Sequence, residues 1–212
     1  MLIKKGDFEI SIGKGVGHVL EDLIFSSKER IWIVSPWISK KYSEIIKEKA
    51  NKGVDVKLLT SNDFSNNSHK RAVSDLVDFR RKLRKFPAYA SFLLSLILLS
   101  LSAFDIIWLA FIPLPVFVFF FYGICFEAKP KIDLYIFDRK KEFTHSKIYI
   151  LDNVSAVGSA NLTENGLWRN IETIVIIKDK EITEEIRSIF NNIKENPFLK
   201  RIELESLRKV LK

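Results

Sequence analysis

Residues 144–172 read THSKIYILDNVSAVGSANLTENGLWRNIE. The apolar run Lys147 to Leu151 predicts a strand, and Ala156 to Ala160 predicts its return across a short turn, so the two should pair as a hairpin. Side chains two apart on a strand share a face, which lets His145 and Lys147 approach one group together, and Ser159 and Asn161 repeat the arrangement. Ile171 to Ile177 is a further apolar strand. Upstream, a helix over Val16 to Ser26 should feed a central strand, Arg30 to Val34, that stops at Ser35-Pro36-Trp37 because proline cannot extend the ladder. Helical spacing of Tyr42, Ile45, Ile46 and Ala50 predicts a helix over Lys40 to Asn51, Gly53 ends it, and Val54 to Thr60 alternates as a strand. This is a βαβ unit.

A cationic helix should start at a cap on Asn67 or Ser68 and run to about Lys85, burying Val73, Leu76, Val77 and Leu83. Ile132 to Phe137 predicts another strand, and Glu181 to Lys194 and Pro197 to Lys212 two amphipathic helices. The expected fold class is α/β, a mixed sheet flanked by helices.

In the stretch that begins at Thr144, His145, Lys147, Asp152 and Gly158-Ser159-Ala160-Asn161 resemble the signature of the phospholipase D superfamily, in its single-copy form. Asn170 and Glu172 resemble the downstream Asn-x-Glu of the same family, and Ile31 to Ile38 and Gly53 to Thr60 resemble its first two core strands. The resemblance implies a phospholipase D-like fold and phosphodiester cleavage through a phosphohistidine intermediate, with no cofactor or metal. It implies catalytic roles for His145, Lys147, Asn161, Glu172, Ser159 and Asp152, and substrate contacts from Lys147, Ser159, Asn161 and Asn170. His145 would attack phosphorus, Lys147 and Asn161 would hold the equatorial oxygens, and Glu172 would orient the imidazole. One spacing departs from the family pattern, with five residues between Asp152 and Gly158 where six are usual. Keeping both residue pairs on one face then requires Leu151 to pair with Ser155 around a three-residue loop, Asp152-Asn153-Val154. Because only one copy of the signature is present, the resemblance implies a homodimer in which His145 of each copy meets at a twofold axis and builds one shared active site. His18 and His69 have no lysine two residues on, and His69 is expected at the surface or as a cap.

From Pro87 to Phe126 the only formal charge is Asp105. One helix over 88–126 would be about 58 Å long, nearly twice the roughly 30 Å hydrocarbon core of a bilayer. Two helices, about Ala88 to Phe104 and Ile106 to Phe126, match it with Asp105 at the far turn. The predicted organisation is therefore one discontinuous domain, 1–86 with 128–212, interrupted by a transmembrane or re-entrant helical hairpin over 87–127. Arg80 to Lys85, Lys129 and Lys131 flank its inner ends, as the positive-inside rule expects. A buried hairpin or a dimer interface is the alternative. MLIKKGDFEI lacks the apolar run of a secretory signal, so a two-span cell-membrane protein with cytosolic termini and a cytosolic catalytic domain is expected.

The 212 residues carry a formal charge of +8, which suits an anionic partner, lipid or nucleic acid. Cys125 is the only cysteine, which excludes an intrachain disulfide and argues against a structural zinc site. Three functions follow: a membrane-anchored phosphodiesterase acting on phospholipid, a membrane-tethered endonuclease on DNA or RNA, and a non-catalytic membrane scaffold.

Overall fold

The computed structural model describes residues 1–79, 132–137 and 144–195, Leu93, and the backbone of 199–201. The chain divides into two compact units, 1–77 with 131–212, and 78–130. The second falls almost wholly outside the described residues, and so does the expected hairpin over 87–127. Among the described residues no helix is long and apolar enough to cross a membrane.

In chain order the first unit runs β1 (Leu2–Lys5), β2 (Phe8–Gly13), α1 (Gly17–Ser26), β3 (Arg30–Val34), α2 (Lys40–Asn51) and β4 (Asp55–Ser61). A helix α3, described over 67–79, follows. After the second unit come β5 (Ile132–Phe137), β6 (Lys147–Leu151), β7 (Val154–Gly158), a π-helical turn (Asn165–Arg169), β8 (Glu172–Ile177), α4 (Lys180–Glu195) and β9 (Leu199–Arg201). The strands form one mixed sheet in the order β1-β2-β8-β7-β6-β3-β4-β5-β9. β3, β4 and β5 are parallel neighbours and the other pairs are antiparallel.

β3 lies well inside the sheet and is buried on both faces, which its unbroken Ile-Trp-Ile-Val run requires. Trp32 and Val34 share one face with Leu59, Tyr135, Phe137, Ile148 and Ile150, and Phe190 of α4 covers them. The Trp32 and Phe190 rings lie 5.3 Å apart at 32°, and the indole Nε1–H donates to Asp55 Oδ2 at 2.8 Å. Ile31 and Ile33 alternate to the other face and are fully buried, as are Leu20 of α1 and Tyr42 and Ile46 of α2. Each such side chain contributes about 1.5–3 kcal/mol. Proline ends β3 as predicted, and the Pro36 carbonyl accepts from Thr60 Oγ1, Ser61 Oγ and Ser61 N at 3.1, 2.7 and 3.2 Å. Those bonds fix the C-terminal ends of β3 and β4 side by side. Gly53 follows α2 at φ 95°, a left-handed stop that a Cβ would oppose.

One hairpin is added to the expected elements and four expectations are corrected. β1 and β2 form an N-terminal hairpin that periodicity did not indicate. β9 pairs with β5 inside the segment read as a helix from Pro197, as an edge strand whose ladder the residue pattern does not reveal. The cap of α3 is Asn66, whose Oδ1 accepts from Ser68 N and His69 N at 2.9 and 3.3 Å. In the β6–β7 hairpin Leu151 pairs with Val154 and Lys147 with Gly158, so the loop is the two-residue turn Asp152-Asn153. Asp152 takes φ 53°, a conformation aspartate tolerates better than most residues, and the tighter turn absorbs the shortened spacing. Finally, His69 is 1% exposed. Its Nδ1 accepts from Ile38 N at 3.1 Å and its Nε2 lies 3.0 Å from the Ser61 carbonyl. A backbone donor on one nitrogen and a backbone acceptor at the other select the Nε2–H tautomer. Burial pushes the imidazole below its ordinary value, against both backbone bonds.

Candidate active site

The C-terminal ends of β3 and β4, the N-terminal ends of β6 and β8, and the end of β7 converge on one edge of the sheet. Ligand sites of open α/β sheets lie at such carboxyl ends. His145 is exposed just before β6, whereas Lys147, two residues on, is 3% exposed. The Lys147 ammonium donates to the His145 carbonyl at 2.6 Å and lies 2.8 Å from His145 Nδ1. When Lys147 is charged, Nδ1 is the acceptor and the ring proton sits on Nε2. Burial lowers the lysine pKa and the nearby Glu172 carboxylate raises it, with burial prevailing. The Trp37 and His145 rings are nearly perpendicular, centroids 6.1 Å apart at 82°, and Trp37 Nε1 donates to Asp63 Oδ2 at 3.3 Å.

Gly158 ends β7 where the chain presses on β8. A Cβ there would overlap the Thr173 carbonyl oxygen and crowd Ile174 Cα at 3.0 Å, so this position tolerates only glycine. Past the strand the backbone bends, and Ser159 turns toward β8 rather than lying opposite Lys147. Its Oγ donates to Glu172 Oε2 and accepts from Thr173 N at 3.0 Å. Asn170 Nδ2 donates to Glu172 Oε1 at 3.2 Å, so both carboxylate oxygens are held. Asn161 is fixed from both sides. Ala160 O accepts from the buried Tyr149 hydroxyl at 2.7 Å. Leu162 N donates to Ser35 Oγ, and Leu162 O accepts from Ser39 N, both at 3.0 Å. Among the described residues Asn161 Oδ1 is buried with no hydrogen-bond partner, an arrangement that costs about 1–3 kcal/mol.

His145, Lys147, Ser159, Asn161, Asn170 and Glu172 are thus brought to one edge, and Asp152 is not. It lies beyond the far end of β6, roughly 15 Å away at the strand rise per residue. There Oδ2 accepts from Lys28 N at 2.9 Å, and Oδ1 from Glu29 N and Arg30 N at 2.9 and 2.8 Å. Burial acts to raise its pKa, but these backbone donors prevail and hold it below the ordinary carboxylate value. Asp152 pins the hairpin turn to the start of β3, away from the edge cluster. The sequence marks Ser35 and Trp37 only as the place where β3 stops, and it gives no role to Tyr149; the bonds of Ser35 to Leu162 N and of Tyr149 to Ala160 O leave no local signature.

Residues 126–194 match the family described as Cardiolipin synthase, PLD-like domain. No curated protein sequence matches the chain. Among solved structures it is similar to TrmBL2, an archaeal chromatin protein (TM-score 0.55, 14% identity, 93% of this chain and 56% of that one). It is also similar to Nuc from Salmonella typhimurium, a phospholipase D family member (0.54, 16%, 87% and 93%). A third similarity is to phosphatidylserine synthase of Haemophilus influenzae Rd KW20 (0.55, 13%, 97% and 42%). The chain therefore spans only about half the length of the first and third. At these identities the likeness is one of fold. The matched segment carries the whole edge cluster from His145 to Glu172, and the architecture around it is shared with these solved structures.

Proposed function

We propose that the chain is a membrane-anchored phosphodiesterase in which His145 is the nucleophile, acting on phospholipid. The observation that carries this reading is the His145–Lys147 pair, 2.8 Å apart, beside the Glu172 carboxylate that Ser159 and Asn170 hold. In the free protein the ammonium occupies Nδ1 and leaves the proton on Nε2, a form that donates rather than attacks. A substrate phosphate would draw the Lys147 ammonium onto its own oxygens. Nδ1 could then carry the proton toward Glu172, and the Nε2 lone pair would be free to attack phosphorus. The P–O bond to the leaving group breaks as the N–P bond forms. The leaving oxygen takes a proton from His145 of a second copy, which then activates the water that hydrolyses the phosphohistidine. Lys147 and the Asn161 amide would stabilise the charge on the equatorial oxygens.

Support for a lipid substrate comes from the apolar stretch over 87–127. Read as two spans with both termini cytosolic, it would hold the site beside head groups. The alternative, a nuclease, is favoured by the formal charge of +8 and by the fold shared with a DNA-binding chromatin protein. The detergent-solubilised protein, with chelator and without added metal, should release p-nitrophenol from bis(p-nitrophenyl) phosphate, and His145→Ala should not. No release from a verified dimer counts against the enzyme and for a scaffold. Salt then separates the substrates, because binding to a polynucleotide weakens steeply with salt and cleavage of a weakly charged lipid does not.

A further inference from the structure

The π-helical turn Asn165–Arg169 stands between the two halves of the edge cluster, with Asn161 before it and Asn170 and Glu172 after it. Such turns are rare and concentrate at functional sites. This one is clamped on three sides. Gly166 lies against the Asn161 backbone, where a Cβ would sit 2.6 Å from the carbonyl oxygen and 2.8 Å from the nitrogen. On α1, a Cβ at Gly17 would overlap Leu167, itself fully buried. The turn ends with Asn170 N donating to Asn165 O at 2.8 Å, directly before the Asn170 amide that bonds Glu172.

The third side is a polar knot that the proposed chemistry does not use. Trp168 Nε1 donates to Glu21 Oε1 at 2.8 Å and lies 3.2 Å from the Tyr42 hydroxyl oxygen. Tyr42, 1% exposed, donates its own proton to the same Glu21 oxygen, and Lys41 Nζ adds a third donor at 2.9 Å. Burial acts to raise the Glu21 pKa, but the donors prevail and hold it below the ordinary value. Burial and the bond to Glu21 push the Tyr42 phenol up. One carboxylate oxygen therefore ties α1, α2 and the π turn together, although the indole is partly exposed.

We infer that Glu21 and Trp168 are positioning residues for the His145 chemistry proposed above: Glu21 holds the Trp168 indole, and through it the turn that sets Asn161 and the Asn170–Glu172 pair. These groups act on the transition state and on the orientation of the imidazole. Slackening the knot should therefore lower kcat and leave KM nearly unchanged.

The test compares Trp168→Phe, which removes the N–H and keeps most of the ring, with Glu21→Ala and Glu21→Gln. It uses bis(p-nitrophenyl) phosphate, the full chain in detergent, and His145→Ala as the reference. Trp168→Phe and Glu21→Ala should lower kcat about tenfold with KM within about twofold, and Glu21→Gln, which keeps a carbonyl acceptor for the indole, should recover most of it. Unchanged kcat in Trp168→Phe, with turnover still abolished in His145→Ala, overturns the positioning role alone. An equal loss in all three variants accompanied by a lower melting midpoint also overturns it, in favour of mere structural support. Turnover that survives His145→Ala overturns both this inference and the reading it rests on. Should Glu21→Ala fail to fold, Trp168→Phe and Glu21→Gln carry the comparison.

Discussion

Lys147 is the residue whose environment says most about how the edge cluster would work. A lysine 3% exposed with its pKa lowered by burial loses its proton earlier on the alkaline side than a free lysine at about 10.4. Activity that depends on the ammonium should accordingly fall along an alkaline limb below that value, and Lys147→Ala should cost about 10²–10³ in kcat, as loss of an anion-stabilising donor does elsewhere. A pH profile of kcat measures the first and a single-pH assay the second. Asp152 makes the complementary case. Its folded pKa lies below the unfolded value, so its three backbone bonds contribute fully above about pH 4 and are lost as pH falls through the folded pKa. Asp152→Asn turns one acceptor into a donor facing Lys28 N–H. It should destabilise the protein by about 1–3 kcal/mol at neutral pH and flatten the acid limb of its stability curve, both readable by urea unfolding across pH.

At the scale of elements, the β7–β8 contact sets the site. Gly158→Ala must push β7 from β8 to relieve the overlap with the Thr173 carbonyl, and it should cost more than about 2 kcal/mol and displace Ser159 from Glu172. A lower melting midpoint together with lost turnover checks this. The elements themselves were legible where burial is continuous or periodic: β3, α2, β5 and β6 have the predicted bounds. The register of β6 on β7 was not, because pairing depends on whether two or three residues close the turn, and Asp152 at φ 53° permits the tighter one. β1 escaped notice because it is exposed along its length and alternation there answers to no core. The edge cluster was legible as letters, since His145, Lys147, Ser159, Asn161 and Glu172 are close in sequence. The groups that hold it, Ser35, Tyr149, Glu21 and Trp168, come from distant elements whose meeting only the fold specifies.

For the whole molecule the proposal rests on two copies sharing one site. Wild type and His145→Ala, mixed equally and allowed to exchange, should then retain about a quarter of the wild-type activity per chain, because random pairing leaves that fraction of dimers with two histidines. Retention of half would mean that each copy works alone. The domain described here is a sheet that gathers two cationic and carboxylate halves of a site at one edge, and the +8 charge of the chain suits either a head-group surface or a polynucleotide.

Attack of His145 on phosphorus is tested by mass spectrometry of the protein quenched during turnover of bis(p-nitrophenyl) phosphate. A nucleophilic His145 should leave a p-nitrophenyl phosphoryl adduct on the peptide that contains it, absent from His145→Ala. Steady turnover with no adduct on that peptide, and with His145→Ala still active, would contradict it.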